Sequence, residues 1–187
     1  MGYSTPNRMV WLYFSALRRR VQAIQAAGNE ATEEDIALCL MLTVAVVETF
    51  LNLFVRVVVS EPAFAQHEGL IVRDLQRHAS LDHKLRKWPQ VVFGRPLDPD
   101  DSVVRSFFTL KERRNALMHF TSTHETFSGD GFWIEGLANT SVLDDLTPTD
   151  AVTAFQVAEG MMRVLLRQRG IVESALTAAL HMWTGQP

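Results

Sequence analysis

The sequence predicts an all-α fold: an up-and-down bundle of about five helices with a small β-hairpin inserted before the last helices. Three observations carry that expectation. Apolar residues recur at three- and four-residue spacing, as Val10, Tyr13, Leu17, Val21 and Ile24 do near the N-terminus. Two segments open with side chains suited to capping a helix, Thr32 with Asp35 and Thr147-Pro148 with Asp150. Only residues 125–128 and 132–134, flanking Gly129-Asp130-Gly131, alternate in the manner of a strand pair.

The first helix is expected over residues 7–27 and stops at Gly28-Asn29. Its Arg18-Arg19-Arg20 run reads better as a solvated face than as a phosphate contact. The second helix starts at Thr32, gains from Glu33 and Glu34 at its positive end, and runs to about Val59. Its first dozen positions are almost wholly apolar, but Glu48, Asn52 and Arg56 interrupt the remainder, which argues against a membrane span. Those three residues fall at i, i+4 and i+8 and form one polar stripe on a helix otherwise suited to the middle of a bundle. Buried polar groups need partners, so Glu48 is expected to reach Arg113 or Arg114, or else to pair with Arg56 in a network with no catalytic part.

A third helix is expected from about Ala65 to Lys87. Its His67, His78 and His83 form no known metal set and read as surface histidines. After a turn marked by Pro96, Pro99 and a cluster of aspartates, Asp101 or Ser102 can cap a fourth helix over about 103–121. That helix carries more than one apolar face, as expected of a helix that also meets a partner. The aromatic residues of the hairpin at about 124–135 suit a cap on the bundle better than a lid. The C-terminal helices follow at about 148–184, with Met161 and Met162 as core filler and Gly170 either ending or bending the chain.

The totals suit one folded domain over residues 1–187. The 187 residues are 47% hydrophobic and 21% charged, and no repeat or linker interrupts them. A net charge of -3 and a pI near 6.1 exclude broad electrostatic adhesion to nucleic acid, so any RNA contact must be a local basic patch. Cys39 is alone, which excludes a disulfide framework and a thiolate metal cluster. With no signal-peptide pattern at the N-terminus, the expected location is the cytoplasm.

Chemistry concentrates in one stretch, Leu110-Lys111-Glu112-Arg113-Arg114-Asn115-Ala116-Leu117-Met118-His119-Phe120. At about 100° per residue, Glu112, Asn115 and His119 share one side of a helix, while Arg113 and Arg114 start about 120° and 140° away from His119. Either a guanidinium arm curls round the helix, or a second copy supplies its arginine across a two-fold axis. In the plainer alternative, the arginines are solvated or paired with Glu112 and His119 is a satisfied core histidine.

An arginine separated from a histidine by this spacing, as in Arg114-Asn115-Ala116-Leu117-Met118-His119, resembles the signature of the HEPN superfamily, the helical domains of metal-independent ribonucleases, toxins and abortive-infection proteins. The resemblance extends over roughly residues 36–120. Ser80-Leu81-Asp82-His83-Lys84-Leu85 and Val91-Val92-Phe93-Gly94-Arg95-Pro96-Leu97 look like the connection ahead of the motif helix in a bacterial HEPN-like subgroup, and an acidic residue at the place of Glu48 is common there. It implies a homodimer with the site at its interface, an RNA substrate, no cofactor and no metal, and in toxin systems an antitoxin protein as partner. Members that carry a tyrosine two residues past the histidine are modified there; this chain has Thr121, so that control is not expected.

On that reading His119 is general acid or base, Arg114 clamps the scissile phosphate, and Asn115 orients His119. Arg113 is an auxiliary clamp and Glu48 holds an arginine. The 2′-hydroxyl attacks, leaving a 2′,3′-cyclic phosphate and a 5′-hydroxyl end, and DNA is spared. The alternative is a HEPN-like dimer without catalysis that binds a nucleotide, RNA or a protein.

Overall fold

The long second helix sets the architecture, because its sequence leaves almost no face for water. In a computed structural model that describes residues 5–118 and 145–185, this helix, α2 (Glu33–Val58), buries thirteen side chains, among them Leu40, Val47, Phe50, Leu51 and Val55. It packs against α1 (Arg8–Ala27), α5 (Ser102–Met118) and α6 (Pro148–Gln168), and more lightly against α3 (Glu68–Gln76) and α4 (Leu81–Phe93). The last helix, α7 (Glu173–Thr184), closes the bundle against α1 and α6. By length and apolarity α2 is the one described helix that could cross a membrane, yet within the fold its apolar surface is largely covered by its neighbours.

Seven α-helices are present among the described residues, against about five expected, and no strand is found among them. The additional elements come chiefly from the expected third helix. Rather than running from Ala65 to Lys87, the chain makes a 3-10 turn at Ala65–His67, then α3, then breaks at His78, whose φ of 52° lies in the left-handed region. Ser80 restarts it as α4, its hydroxyl accepting from the His83 N–H. Trp88 supplies the reason for the corner. Its indole Nε1–H donates to the Asp74 carboxylate at 3.0 Å, and His83 reaches the same oxygen at 3.1 Å, so α4 folds back on α3 around one buried acid. The expected hairpin at 124–135 lies outside the described residues.

Other boundaries follow their local chemistry. Thr32 accepts from the Asp35 N–H, as the spacing predicts. At the start of α5 the cap is Asp101, which accepts from the N–H groups of Val103 and Val104. Thr147 and Asp150 form a reciprocal capping box with Pro148 in the first turn of α6. Gly170, at φ 93°, ends α6 rather than bending it.

Two packing features fix helix crossings, one between α2 and α7 and one between α5 and α6. Phe50 and Phe54 stack at 5.0 Å between centroids, and Trp183 meets both edge-on, which fixes α7 to the C-terminal half of α2. Gly160 on α6 lies so close to Val103 on α5 that a methyl group there would come within 2.7 Å of a Val103 methyl carbon. The α5–α6 contact is therefore backbone-close at the N-terminal end of α5.

Candidate functional site

α5 delivers the motif residues in its last two turns, and their surroundings separate them. Arg113 is half-buried and donates through Nη1 to Asp150 Oδ1, crossing from the end of α5 to the first turn of α6. Arg114 is also half-buried, but its contact is with Met118 Sδ at 3.6 Å, and its Nε is enclosed with no partner among the described residues. Asn115 is half-buried beside it. His119 lies outside the described residues, so the histidine of the motif has no described position. Glu112 is exposed and pairs with Lys111 at 2.6 Å, rather than with either arginine.

Glu48 does not reach Arg113, Arg114 or Arg56. Its carboxylate accepts from Lys84 Nζ at 2.9 Å, and Lys84 is almost completely buried over the face of Trp88. Arg56 turns the other way, to Glu68 at 2.9 Å. The stripe of Glu48, Asn52 and Arg56 is thus a row of separate contacts, and the Asn52 side-chain oxygen has no hydrogen-bond partner among the described residues. The expected internal network fails because a buried ammonium on α4 competes for Glu48. A buried amine needs a carboxylate more than an arginine able to reach solvent does.

A second buried ammonium, Lys111, lies between Asp82 at 2.8 Å and Glu112. Burial opposes its charge, but the two carboxylates outweigh burial and hold the ammonium above its ordinary range. Asp150 shows the opposite balance. Burial pushes its carboxyl up, while hydrogen bonds from Thr147 and Arg113 prevail and hold it below the usual carboxylate range. For Asp74, too, burial is overcome by donors, here Trp88 and His83. Burial raises the Cys39 thiol to about 11, which leaves it a poor nucleophile. His78 is exposed, His67 is half-exposed beside Gln66, and His83 is spent on Asp74.

Between α5 and α6 a cleft of about 370 Å³ opens beside Arg113. Leu40, Leu110 and Val157 form its apolar wall, and Arg105, Ser106, Thr109 and Thr153 join Arg113 and Asp150 around it. Sequence reasoning missed Arg105, Lys84, Lys111, Asp74 and Asp150 as participants. For Arg105 a signal existed, since Arg105, Thr109 and Arg113 repeat every four residues. No family model, curated protein or solved structure matches the chain.

Proposed function

We propose that this chain is a metal-independent endoribonuclease of HEPN type that cleaves RNA by 2′-hydroxyl attack and works as the toxin or effector of a defence or stress module. Arg114 carries the reading. Arg113 beside it is taken by a carboxylate, but the arginine of the motif has none among the described residues. A half-buried guanidinium with an enclosed, unpaired N–H carries an unmet demand for an acceptor, on the order of 1–3 kcal/mol. A scissile phosphate meets that demand with paired oxygens.

His119 then acts as general acid or base and Asn115 orients it from one turn back. Arg113, held by Asp150 through Nη1, serves as the auxiliary clamp with its remaining donors. The site is completed by a second copy: Met118, 52% exposed beside Arg114, offers apolar surface for a partner helix to cover. A small antitoxin protein covering the same surface would silence the module.

Incubation of the purified chain with single-stranded RNA in EDTA tests this. Cleavage should yield 2′,3′-cyclic phosphate ends, leave single-stranded DNA intact, and fall by about 10² or more in Arg114→Ala and His119→Ala. Cutting that survives His119→Ala sinks the assignment, as does RNA left intact by a folded dimer. The capture of Arg113 by Asp150 favours a second reading, a dimer that binds without catalysis; intact RNA together with measurable ligand binding selects it.

A further inference from the structure

We infer that the cleft between α5 and α6 is a binding subsite for an organic phosphate ester, its phosphate gripped by Arg105 and Arg113 and its body laid on the apolar wall. This goes beyond the cleavage reading, because it requires binding alone.

The rim of the cleft carries donors that nothing else engages among the described residues. Arg105 is exposed at the edge of the cleft, and among the described residues its side chain makes no ion pair or hydrogen bond. The hydroxyls of Ser106, Thr109 and Thr153 likewise have no hydrogen-bond partner among the described residues. Arg105, Thr109 and Arg113 stand one turn apart along one edge of α5, so the arginine backbones are about 12 Å apart and their long arms can close on one anion above Thr109. A guanidinium fork matches phosphate oxygens with two parallel donors.

Asp150 is the apparent obstacle, a carboxylate on the same rim. Its charge is already spent. Oδ1 accepts from Arg113, and Oδ2 accepts from the N–H and the hydroxyl of Thr147. Asp150 therefore holds Arg113 in place on the lining of the cleft, which leaves the other guanidinium donors of Arg113 and the charge of Arg105 to meet an anion there. In a chain of net charge -3 this makes a local cationic spot.

The cleft also has the size and polarity of a ligand site. Its volume of about 370 Å³ lies in the range of small-molecule pockets. Leu40, Leu110 and Val157 offer the apolar side that a bare anion site lacks. A larger cavity of about 520 Å³ lies among Phe54, Leu166, Ile171, Met182 and Trp183. Its one cation among the described residues, Arg169, is already committed to Glu61 at 2.6 Å and to the face of Phe64.

A phosphate ester reaches such a cleft either as a free phosphorylated small molecule or as a unit of an RNA backbone. Calorimetric titration of the full chain with inorganic phosphate, adenosine monophosphate and an uncleavable 2′-O-methyl tetranucleotide separates the two. Adenosine monophosphate should bind about tenfold or more tightly than phosphate, and Arg105→Ala should weaken it by a similar factor. Circular dichroism should show the variant folded, since Arg105 is exposed. A tetranucleotide bound tenfold more tightly than the mononucleotide, with a steep salt dependence, identifies a nucleic-acid backbone; equal affinity identifies a free ester. No binding by either ester, binding no tighter than phosphate, or binding indifferent to Arg105→Ala overturns the inference. Cleavage that fails while Arg105-dependent binding stands overturns the nuclease reading alone.

Discussion

Arg113 and Asp150 form an ion pair that ties the end of α5 to the first turn of α6 across 37 positions of sequence. Asp150 also completes the capping box with Thr147, so one carboxylate both starts α6 and anchors the motif helix. Arg113→Ala should cost on the order of 1 kcal/mol, because the pair is only partly buried. Asp150→Ala, which removes the cap as well, should cost about 2 kcal/mol. Each kilocalorie should lower the melting temperature by about 2–4 °C for a chain of this size.

The same carboxylate predicts an acid limb in the stability curve. Its folded pKa is depressed, so its contribution is complete above the ordinary carboxylate value and is lost as pH falls through the lower, folded value. Urea titrations between about pH 5 and pH 2 should show stability declining, and Asp150→Asn should flatten that decline. An unchanged slope in the variant would mean that the pair is not formed in solution.

Lys84 needs Glu48 as a structural counter-charge. Glu48→Ala leaves a nearly enclosed ammonium with only the Trp88 face, and should cost about 2 kcal/mol, below the figure for a fully buried pair because Glu48 is 35% exposed. Glu48→Ala combined with Lys84→Met should recover most of that loss. On the nuclease reading, cleavage per folded molecule should not change with Glu48, since its partner is Lys84 and not Arg114; a specific loss of activity at full stability would restore its role as a support for the site.

The α3–α4 corner rests on Asp74. Asp74→Ala leaves the fully buried Trp88 indole N–H without an acceptor and should cost about 1–3 kcal/mol. His83→Ala should cost less, because His83 is 40% exposed and can be replaced by water. Equal losses in both variants, measured by chemical denaturation, would show that the indole bond is not the stronger tie.

Gly160→Ala is expected to destabilise despite alanine's better helix propensity of about 1 kcal/mol. The added methyl meets Val103 and forces a shift whose overpacking cost is about 1–3 kcal/mol. Val103→Ala should remove the conflict, giving a favourable coupling in a double-mutant cycle. Additive effects would show that α5 and α6 are not in close contact there.

Local rules are what the sequence states legibly. Thr32 and Thr147-Pro148 announce the starts of α2 and α6 because capping is a matter of three neighbouring residues. The break at His78 was also written locally, in the Ser80 cap, but the apolar spacing on either side of it suggests one continuous helix. Partners at long range are another matter. That Glu48 meets Lys84, and Arg113 meets Asp150, depends on how α2, α4, α5 and α6 are arranged, and helical spacing holds no information about that. The motif shows the same division: its residues could be read, and the arrangement places Arg114 and Asn115 half-buried at the end of α5 and sends Arg113 to Asp150.

The near-contact of Gly160 with Val103 also limits how the molecule can respond to a ligand. Val103 packs against the bare backbone of Gly160, so α5 and α6 meet there with no intervening side chain, and a crossing packed that closely resists sliding. The motif helix is therefore expected to move little at its N-terminal end. A ligand in the neighbouring cleft would then be met by the swing of the Arg105 and Arg113 arms, so specificity should follow the reach and count of those arms, and stiffening the scaffold further should leave affinity untouched.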